Sequence, residues 1–171
     1  MDETRKQQYH SVPSPSELLD IAINLLNRSE LTRDMKDDEI RALAELAQLR
    51  EYPKGTNILT ENSRSRDLYV IKEGRVSIRL TLPSEEGKQE VLYQMRDNQI
   101  FGELSLVDGS PRSATVKAEN DVVVLRYNFS ELGGLLDKFP RIGYLLMRNI
   151  AAIISARIKN TNLLWRNTLI W

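Results

Sequence analysis

Phe101-Gly-Glu-Leu-Ser-Leu-Val-Asp-Gly-Ser-Pro-Arg-Ser-Ala-Thr-Val116 is the most informative stretch of this chain. It places a Gly-Glu pair, a short apolar turn, a glycine-containing loop and a single arginine between two apolar, strand-like segments. Gly102 allows a backbone conformation or a close ligand approach that a Cβ atom would prevent. Together these are the parts needed to hold a small anionic ligand that also carries a sugar hydroxyl.

The polar groups of this stretch suggest how an anion would be held. Glu103 to Val107 is predicted to form a short helical turn whose first N–H groups point at the anion. Arg112 supplies a forked, permanently charged donor for phosphate oxygens, and Ser113 and Thr115 add hydroxyls for the phosphate or a base edge. Because a carboxylate repels phosphate, we expect Glu103 to accept a hydrogen bond from a ribose hydroxyl. A buried Glu103–Arg112 pair in the empty protein is the alternative.

Phe-Gly-Glu-Leu, followed at this separation by Pro-Arg-Ser-Ala-Thr-Val, closely resembles the phosphate-binding cassette of cyclic nucleotide-binding domains. Tyr52-Pro-Lys-Gly55 and Leu68-Tyr-Val-Ile-Lys-Glu-Gly-Arg-Val76 look like further landmarks of the family. The resemblance implies an α+β, mainly β, fold: an eight-stranded antiparallel, jelly-roll-like β-roll with N-terminal helices, a cassette helix and a long C-terminal helix. It implies cyclic AMP, or less favourably cyclic GMP, as the ligand, and no cofactor. The ligand-binding residues that it implies are Gly102, Glu103, Leu104, Ser105, Arg112, Ser113, Ala114 and Thr115.

Three residues depart from the family pattern. The family often has Gly where Asn62 and Asn98 stand. Asn is the non-glycine residue that best tolerates a left-handed backbone, so we expect both turns to be retained. Ser105 stands where Ala or Gly is usual and adds only a hydroxyl.

Hydrophobic periodicity predicts helices on both sides of a strand-rich centre. Ser14-Pro-Ser-Glu17 is typical of a capping box. Apolar residues at helical spacing predict helices over 15–28, 37–48, 130–139 and 140–165. Between them, apolar and polar residues alternate and turn signals recur, which favours an antiparallel roll. The strands are predicted near 49–53, 56–60, 67–73, 76–82, 88–95, 113–118 and 121–127.

Composition bounds the class of protein. The 171 residues predict one domain with accessory helices: a flexible tail at 1–13, an N-terminal helix at 14–30, and the nucleotide-binding domain with hinge and lid helices at 31–168. Net charge is zero, with 24 basic and 24 acidic residues, which argues against nucleic acid as a partner. No apolar run approaches a membrane span and no signal peptide is evident, so no membrane contact and a cytoplasmic location are expected.

Enzymatic function is not predicted. There is no cysteine, which excludes disulfides and thiolate chemistry. A metal enzyme on a cupin-like roll needs several histidines, and the only one is His10, in the predicted tail. We therefore predict no catalytic residue and no metal site.

The predicted C-terminal helix carries a further set of candidate residues. Leu146, Ile150, Ile153, Arg157, Asn160 and Leu164 follow a 4-3-4-3-4 spacing, close to a coiled-coil seam. Packing of this face on its own roll is the alternative. The resemblance implies that this helix closes over the purine and often makes the dimer, which makes Arg157, Asn160 and Trp165 candidate lid or base contacts.

Two functions compete. The first is a stand-alone cyclic nucleotide sensor, without a DNA-binding or kinase domain. In this hypothesis ligand binding shifts the C-terminal helices and signals to a protein effector. A homodimer through the long C-terminal helix is a further option. The second is an interaction scaffold that keeps the fold without the ligand. Intact Gly102, Glu103, Arg112 and Thr115 favour the sensor.

Overall fold

The computed structural model of the protein describes residues 13–82 and 87–168, except for the side chains of residues 164, 165, 167 and 168. Residues 1–12 of the predicted tail, with His10, lie outside this description. The helices are α1 (Pro15–Leu26), α2 (Asp37–Ala44), α3 (Glu103–Asp108), α4 (Phe129–Lys138) and α5 (Pro140–Thr168), with a 3₁₀ turn at Glu30–Thr32. The strands are β1 (Gln48–Tyr52), β2 (Asn57–Leu59), β3 (Leu68–Glu73), β4 (Arg75–Thr81), β5 (Gln89–Arg96), β6 (Ile100–Phe101), β7 (Thr115–Ala118) and β8 (Val122–Tyr127).

The strands form two four-stranded antiparallel sheets, in the orders β1-β8-β3-β6 and β2-β7-β4-β5. The predicted antiparallel β-roll with flanking helices is therefore confirmed. Successive residues of a strand face opposite sides, so β3 and β8 serve two apolar cores. Tyr69 and Val124 pack between the sheets. Val70 and Leu125 pack against the helices, in the same core as Leu146 of α5.

The helix starts follow local sequence rules. At α1, the Glu17 N–H donates to Ser14 Oγ (3.3 Å), and the Ser14 N–H donates to Glu17 Oε2 (2.7 Å), which confirms the capping box. The prediction for α2 was too long: the helix ends at Ala44 rather than 48, because Gln48 already pairs with Arg126 in the sheet. The short strand β6 and the 3₁₀ turn were not predicted individually.

Both asparagine turns are retained as expected. Asn62 and Asn98 have φ angles of 65° and 67°, in the left-handed region that glycine usually occupies. The Asn98 turn joins β5 to β6, and β6 leads directly into α3. The Asn98 turn therefore contributes to the position of the segment 101–116 that the sequence singled out.

Helix α5 packs on its own chain. Leu146 and Ile150 are fully buried in the core, so this part of the 4-3-4-3-4 spacing reflects packing on the protein's own helices and sheet, whereas Asn160 is exposed and the side chain of Leu164 lies outside the described residues. Asn149 Nδ2 donates to the carbonyl oxygens of Leu31 and Arg33, both at 2.9 Å, and ties α5 to the N-terminal segment. Among the helices described, none is long and apolar enough to cross a membrane.

Candidate functional site

A cavity of about 50 Å³ lies where the inter-sheet core meets the segment from β6 to β7. Of the eight predicted ligand-binding residues, all except Thr115 line it. Thr115 is fully buried, and its hydroxyl accepts hydrogen bonds from the Glu61 N–H (3.1 Å) and Gln89 Nε2 (3.2 Å). The lining residues are Leu59, Ile78, Tyr93, Met95, Phe101, Gly102, Glu103, Leu104, Ser105, Arg112, Ser113, Ala114, Val116 and Arg157.

Gly102 immediately precedes the cassette helix α3 and has a backbone conformation that other residues rarely adopt. Its φ of 82° is left-handed, and α3 starts at the next residue. A Cβ atom at this position would lie 2.8 Å from both Arg112 Nη1 and the Asp67 carbonyl oxygen. The absence of a side chain is therefore what lets the arginine pack against the start of α3.

Arg112 is a buried cation held by neutral oxygens. It is 2% exposed, and donates from Nε to Ser65 Oγ (2.9 Å), from Nη1 to the Gly102 carbonyl (2.7 Å) and from Nη2 to the Asp67 carbonyl (2.7 Å). A guanidinium has five N–H donors. One N–H on each terminal nitrogen therefore remains for another acceptor.

The charge of Arg112 has no directly bonded carboxylate in the part of the chain that the structure describes. The Asp67 carboxylate pairs with Arg126 (2.6 Å), and the Glu103 carboxylate pairs with Arg157 (2.6 Å). Burial is the largest influence on Arg112 and lowers its pKa, with Tyr69, Asp67 and Glu103 opposing from a distance. An anion entering the cavity would supply the missing partner.

Glu103 pairs with a residue other than the one considered from the sequence. The alternative Glu103–Arg112 pair is not formed. Instead, Arg157 of α5 donates from Nη1 to Glu103 Oε1 (2.6 Å) and from Nη2 to the Ile100 carbonyl (2.6 Å). Glu103 is 5% exposed, so this pair is largely removed from water. The C-terminal helix therefore contacts the cassette through the carboxylate that was assigned to a ribose hydroxyl.

The other two lid candidates lie farther along α5. Asn160 lines a groove of about 360 Å³ between β5 and α5, together with Leu92 and Tyr93. Tyr93, Met95 and Arg157 line both this groove and the smaller cavity, so the two spaces adjoin. The side chain of Trp165 is outside the described part of the structure.

Several residues of the site were not found from the sequence. Ser65 and Asp67, which hold Arg112, act through a hydroxyl and a backbone carbonyl from a loop about 47 residues away in sequence. A carbonyl contact has no residue-type signature, so no motif could have revealed it. Alternation predicted the strand near 76–82 that contains Ile78, but only the fold brings this side chain to the cavity wall.

Phe101, which lines the cavity, packs against a second aromatic ring in the inter-sheet core. Tyr69 and Phe101 stack with centroids 4.8 Å apart and planes 3° from parallel. Burial raises the pKa of Tyr93, at the mouth of the cavity, and the charge of Arg157 opposes that shift.

Within residues 13–82 and 87–168, no group of three or more acidic or histidine side chains is arranged to hold a metal ion.

The chain is similar to known proteins in both sequence and fold. The profile of the family described as cyclic nucleotide-binding domain matches residues 49–139, more than half of the chain. The CRP-like cAMP-activated global transcriptional regulator of Mycobacterium tuberculosis is 26% identical over 138 residues, which are 81% of this chain and 59% of that protein. The chain thus spans less than two thirds of this relative.

Solved structures share the fold. The catabolite activator protein of Thermus thermophilus is 27% identical and superposes with a TM-score of 0.68, covering 82% of this chain and 63% of that one. A cyclic nucleotide-binding domain from Methylobacillus flagellatus, 24% identical, superposes with a TM-score of 0.73 over 83% of this chain and 79% of that one. Since the family profile also covers the roll and the cassette, the chain belongs to the cyclic nucleotide-binding domain family.

Proposed function

We propose that the protein is a regulatory module that binds a 3′,5′-cyclic nucleotide, cyclic AMP in preference to cyclic GMP. The observation that carries the proposal is the buried guanidinium of Arg112 at the cavity wall, which keeps one N–H donor on each terminal nitrogen. A cyclic phosphate has one negative charge shared by two exocyclic oxygens. Its charge and its pair of acceptors match this fork.

In this proposal Glu103 binds the ribose 2′-hydroxyl. Arg157 occupies Oε1, and no described residue donates a hydrogen bond to Oε2. A carboxylate has lone pairs for several donors, so Glu103 can hold Arg157 and the ribose together. Gly102, Leu104 and Ser105 then offer backbone N–H groups to the phosphate, with Ser113 and Ala114 on the opposite side.

The base occupies the neighbouring groove. The cavity at Arg112 is too small for a whole nucleotide, whereas the adjoining groove, at about 360 Å³, falls in the usual range of ligand sites. Arg157, Asn160 and Trp165 are the proposed base and lid contacts, and Thr115 supports the strand behind the phosphate. The choice of cyclic AMP draws on the similarity to a regulator that is named as cAMP-activated.

The proposed output is α5. This helix contacts the cassette through Arg157 and the N-terminal segment through Asn149, so a ligand that favours one position of α5 biases both. Residues 31–168 form the sensing unit in this proposal, and the N-terminal segment 14–30, which contains α1, moves with α5. A protein effector receives the signal.

The outward face of α5 is the proposed contact with a second copy of the chain. Met147, Ala151, Ile154 and Ile158 form an apolar strip beside Val107 of α3, and Ile158 is 55% exposed. A single helix face can serve both partners of a twofold dimer. Sedimentation of wild type and Ile158→Glu tests this: a wild-type dimer that the variant disrupts supports it, and a wild-type monomer refutes it.

Calorimetric titration of nucleotide-stripped protein with cyclic AMP and cyclic GMP tests the main proposal. Arg112→Ala should weaken binding at least ~30-fold, the equivalent of ~2 kcal/mol for a buried charged contact. Arg64→Ala is the matched control, since Arg64 is an exposed arginine that precedes the Arg112-binding loop residues Ser65 and Asp67. Arg112→Lys keeps the charge without the fork and guards against a folding defect.

Each outcome bears on the proposal. If Arg112→Ala weakens the binding of cyclic AMP while Arg64→Ala does not, the role of Arg112 is supported. If wild type binds 2′-deoxy cyclic AMP more weakly than cyclic AMP, the role of Glu103 is supported. No heat with either nucleotide from protein that is folded by circular dichroism sinks the sensor proposal and favours the scaffold. Equal affinity of Arg112→Ala and wild type would also refute it.

A further inference from the structure

Arg66 lies in the loop between β2 and β3 and contacts both the cassette helix and the helix that leads to α5. Its Nε donates to the Ser105 carbonyl of α3 at 3.1 Å. The centre of its guanidinium lies 3.8 Å from the ring centroid of Phe129, the first residue of α4. Arg66 itself does not line the cavity.

The contact with α3 is made at the end of that helix. The Ser105 carbonyl also accepts the N–H of Gly109 (3.2 Å), which caps α3 in a left-handed conformation. A Cβ built on Gly109 would lie 3.5 Å from Arg66 Nη2, so the guanidinium runs alongside this cap. A cation that bonds the last carbonyls of a helix complements their partial negative charge.

The contact with α4 is reinforced by the next residue. Asp67 Oδ1 accepts the Phe129 N–H at 2.9 Å, while the Asp67 carbonyl accepts Arg112 Nη2 at 2.7 Å. Two adjacent residues therefore hold the first residue of α4 from two sides, by its ring and by its N–H. The same two residues hold the end of α3 and the buried arginine of the cavity.

We propose that Arg66 is a positioning residue that couples the cassette helix to α4, and through α4 to α5. The proposal rests on the proposed function, since it needs a ligand that shifts α3. A guanidinium is planar and rigid, so it can stack on the Phe129 ring while Nε holds the Ser105 carbonyl. When α3 is displaced, the guanidinium plane of Arg66, on which the Phe129 ring stacks, moves with it.

Hydrogen exchange of the full chain, with and without saturating cyclic AMP, tests this coupling. In wild type we expect the ligand to alter exchange in both α3 and α4. In Arg66→Ala the ligand-induced change in α3 should persist while that in α4 falls by at least half. Calorimetry should give a cyclic AMP Kd within about tenfold of wild type, since every group proposed to contact the ligand is unchanged.

Two further variants make the result specific. Arg64→Ala removes a neighbouring exposed arginine and should leave both responses intact. Phe129→Leu keeps apolar bulk and the bond from Arg66 to Ser105 but removes the ring. It should reduce the α4 response by at least half and leave the α3 response unchanged. It also provides the test if Arg66→Ala does not fold. The double variant should lose no more of the α4 response than either single variant, because both remove the same contact.

The failure of this inference is distinguishable from failure of the proposed function. If wild type does not bind cyclic AMP, both fall. If wild type binds but α4 does not respond, or if α4 responds equally in wild type, Arg66→Ala and Phe129→Leu, the ligand site stands and the coupling role of Arg66 is overturned.

Discussion

Gly102→Ala should destabilise the protein by an amount that can be worked from the local geometry. The left-handed backbone, with φ of 82°, costs a non-glycine residue ~1–2 kcal/mol. The new Cβ would meet the Asp67 carbonyl oxygen at 2.8 Å, and such overpacking adds ~1–3 kcal/mol because a backbone atom cannot rotate away. Alanine also restricts the unfolded chain more than glycine does, which stabilises the folded protein by ~0.4–1 kcal/mol. The net loss in the free energy of unfolding is about 3 kcal/mol.

Urea unfolding followed by far-ultraviolet circular dichroism measures this loss. With a slope of ~2 kcal/mol per molar urea, the midpoint should fall by about 1.5 M at unchanged slope. Gly134→Ala is the matched control: Gly134 is in α4 and exposed, and a Cβ there meets nothing within 4 Å. Alanine should stabilise that helix by ~0.5–1 kcal/mol. A midpoint for Gly102→Ala equal to that of wild type would refute the reasoning.

Three further outcomes are expected. Arg157→Ala leaves the Glu103 carboxylate buried without its cation and should lower the free energy of unfolding by ~1–3 kcal/mol, with Glu103→Gln recovering part of the loss in a double-mutant cycle. Burial raises the pKa of Tyr69 from 10 to about 12, so the folded state holds this proton more tightly than the unfolded state does. The free energy of unfolding should therefore fall between pH 10 and 12 by up to ~1.4 kcal/mol per pH unit. Urea titrations of Tyr69→Phe over this pH range should lack this contribution to the pH dependence. The buried Tyr127 hydroxyl has no hydrogen-bond partner among the described residues. Tyr127→Phe should therefore leave the free energy of unfolding, measured by thermal denaturation, unchanged or raise it by up to ~1 kcal/mol. A clear loss would contradict this.

Local sequence determined the parts of this protein that depend on a few neighbouring residues. The capping box at Ser14 and the left-handed turns at Asn62 and Asn98 follow from intrinsic backbone preferences and from hydrogen bonds across three residues. The cassette is equally local: Gly102 permits the turn and α3 follows it. Alternation and turn signals predicted most strands, because the pleat repeats every two residues.

Helix α2 and the face of α5 show where local rules stop. The apolar pattern of α2 continues to Ala47, but pairing of Gln48 with β8 draws the chain into the sheet and ends the helix early. The α5 pattern was compatible with a coiled coil or with packing on the same chain. Burial of Leu146 and Ile150 in the core selects the second for this part of α5, since a helix face that is already covered is not free for a partner.

The partners of the two key charges were decided only by tertiary structure. The sequence marked Glu103 and Arg112 as chemically important, with a ribose hydroxyl as the expected partner of Glu103 and a Glu103–Arg112 pair as the alternative, but it gave no sign of Arg157 or Asp67 as their partners. The fold brings Arg157 to Glu103 across 54 residues, and the carbonyl of Asp67 to Arg112 across 45. Charge can be read from residue type, but the partner depends on which backbone and side-chain atoms long-range packing brings within hydrogen-bond distance, and no local pattern encodes that distance.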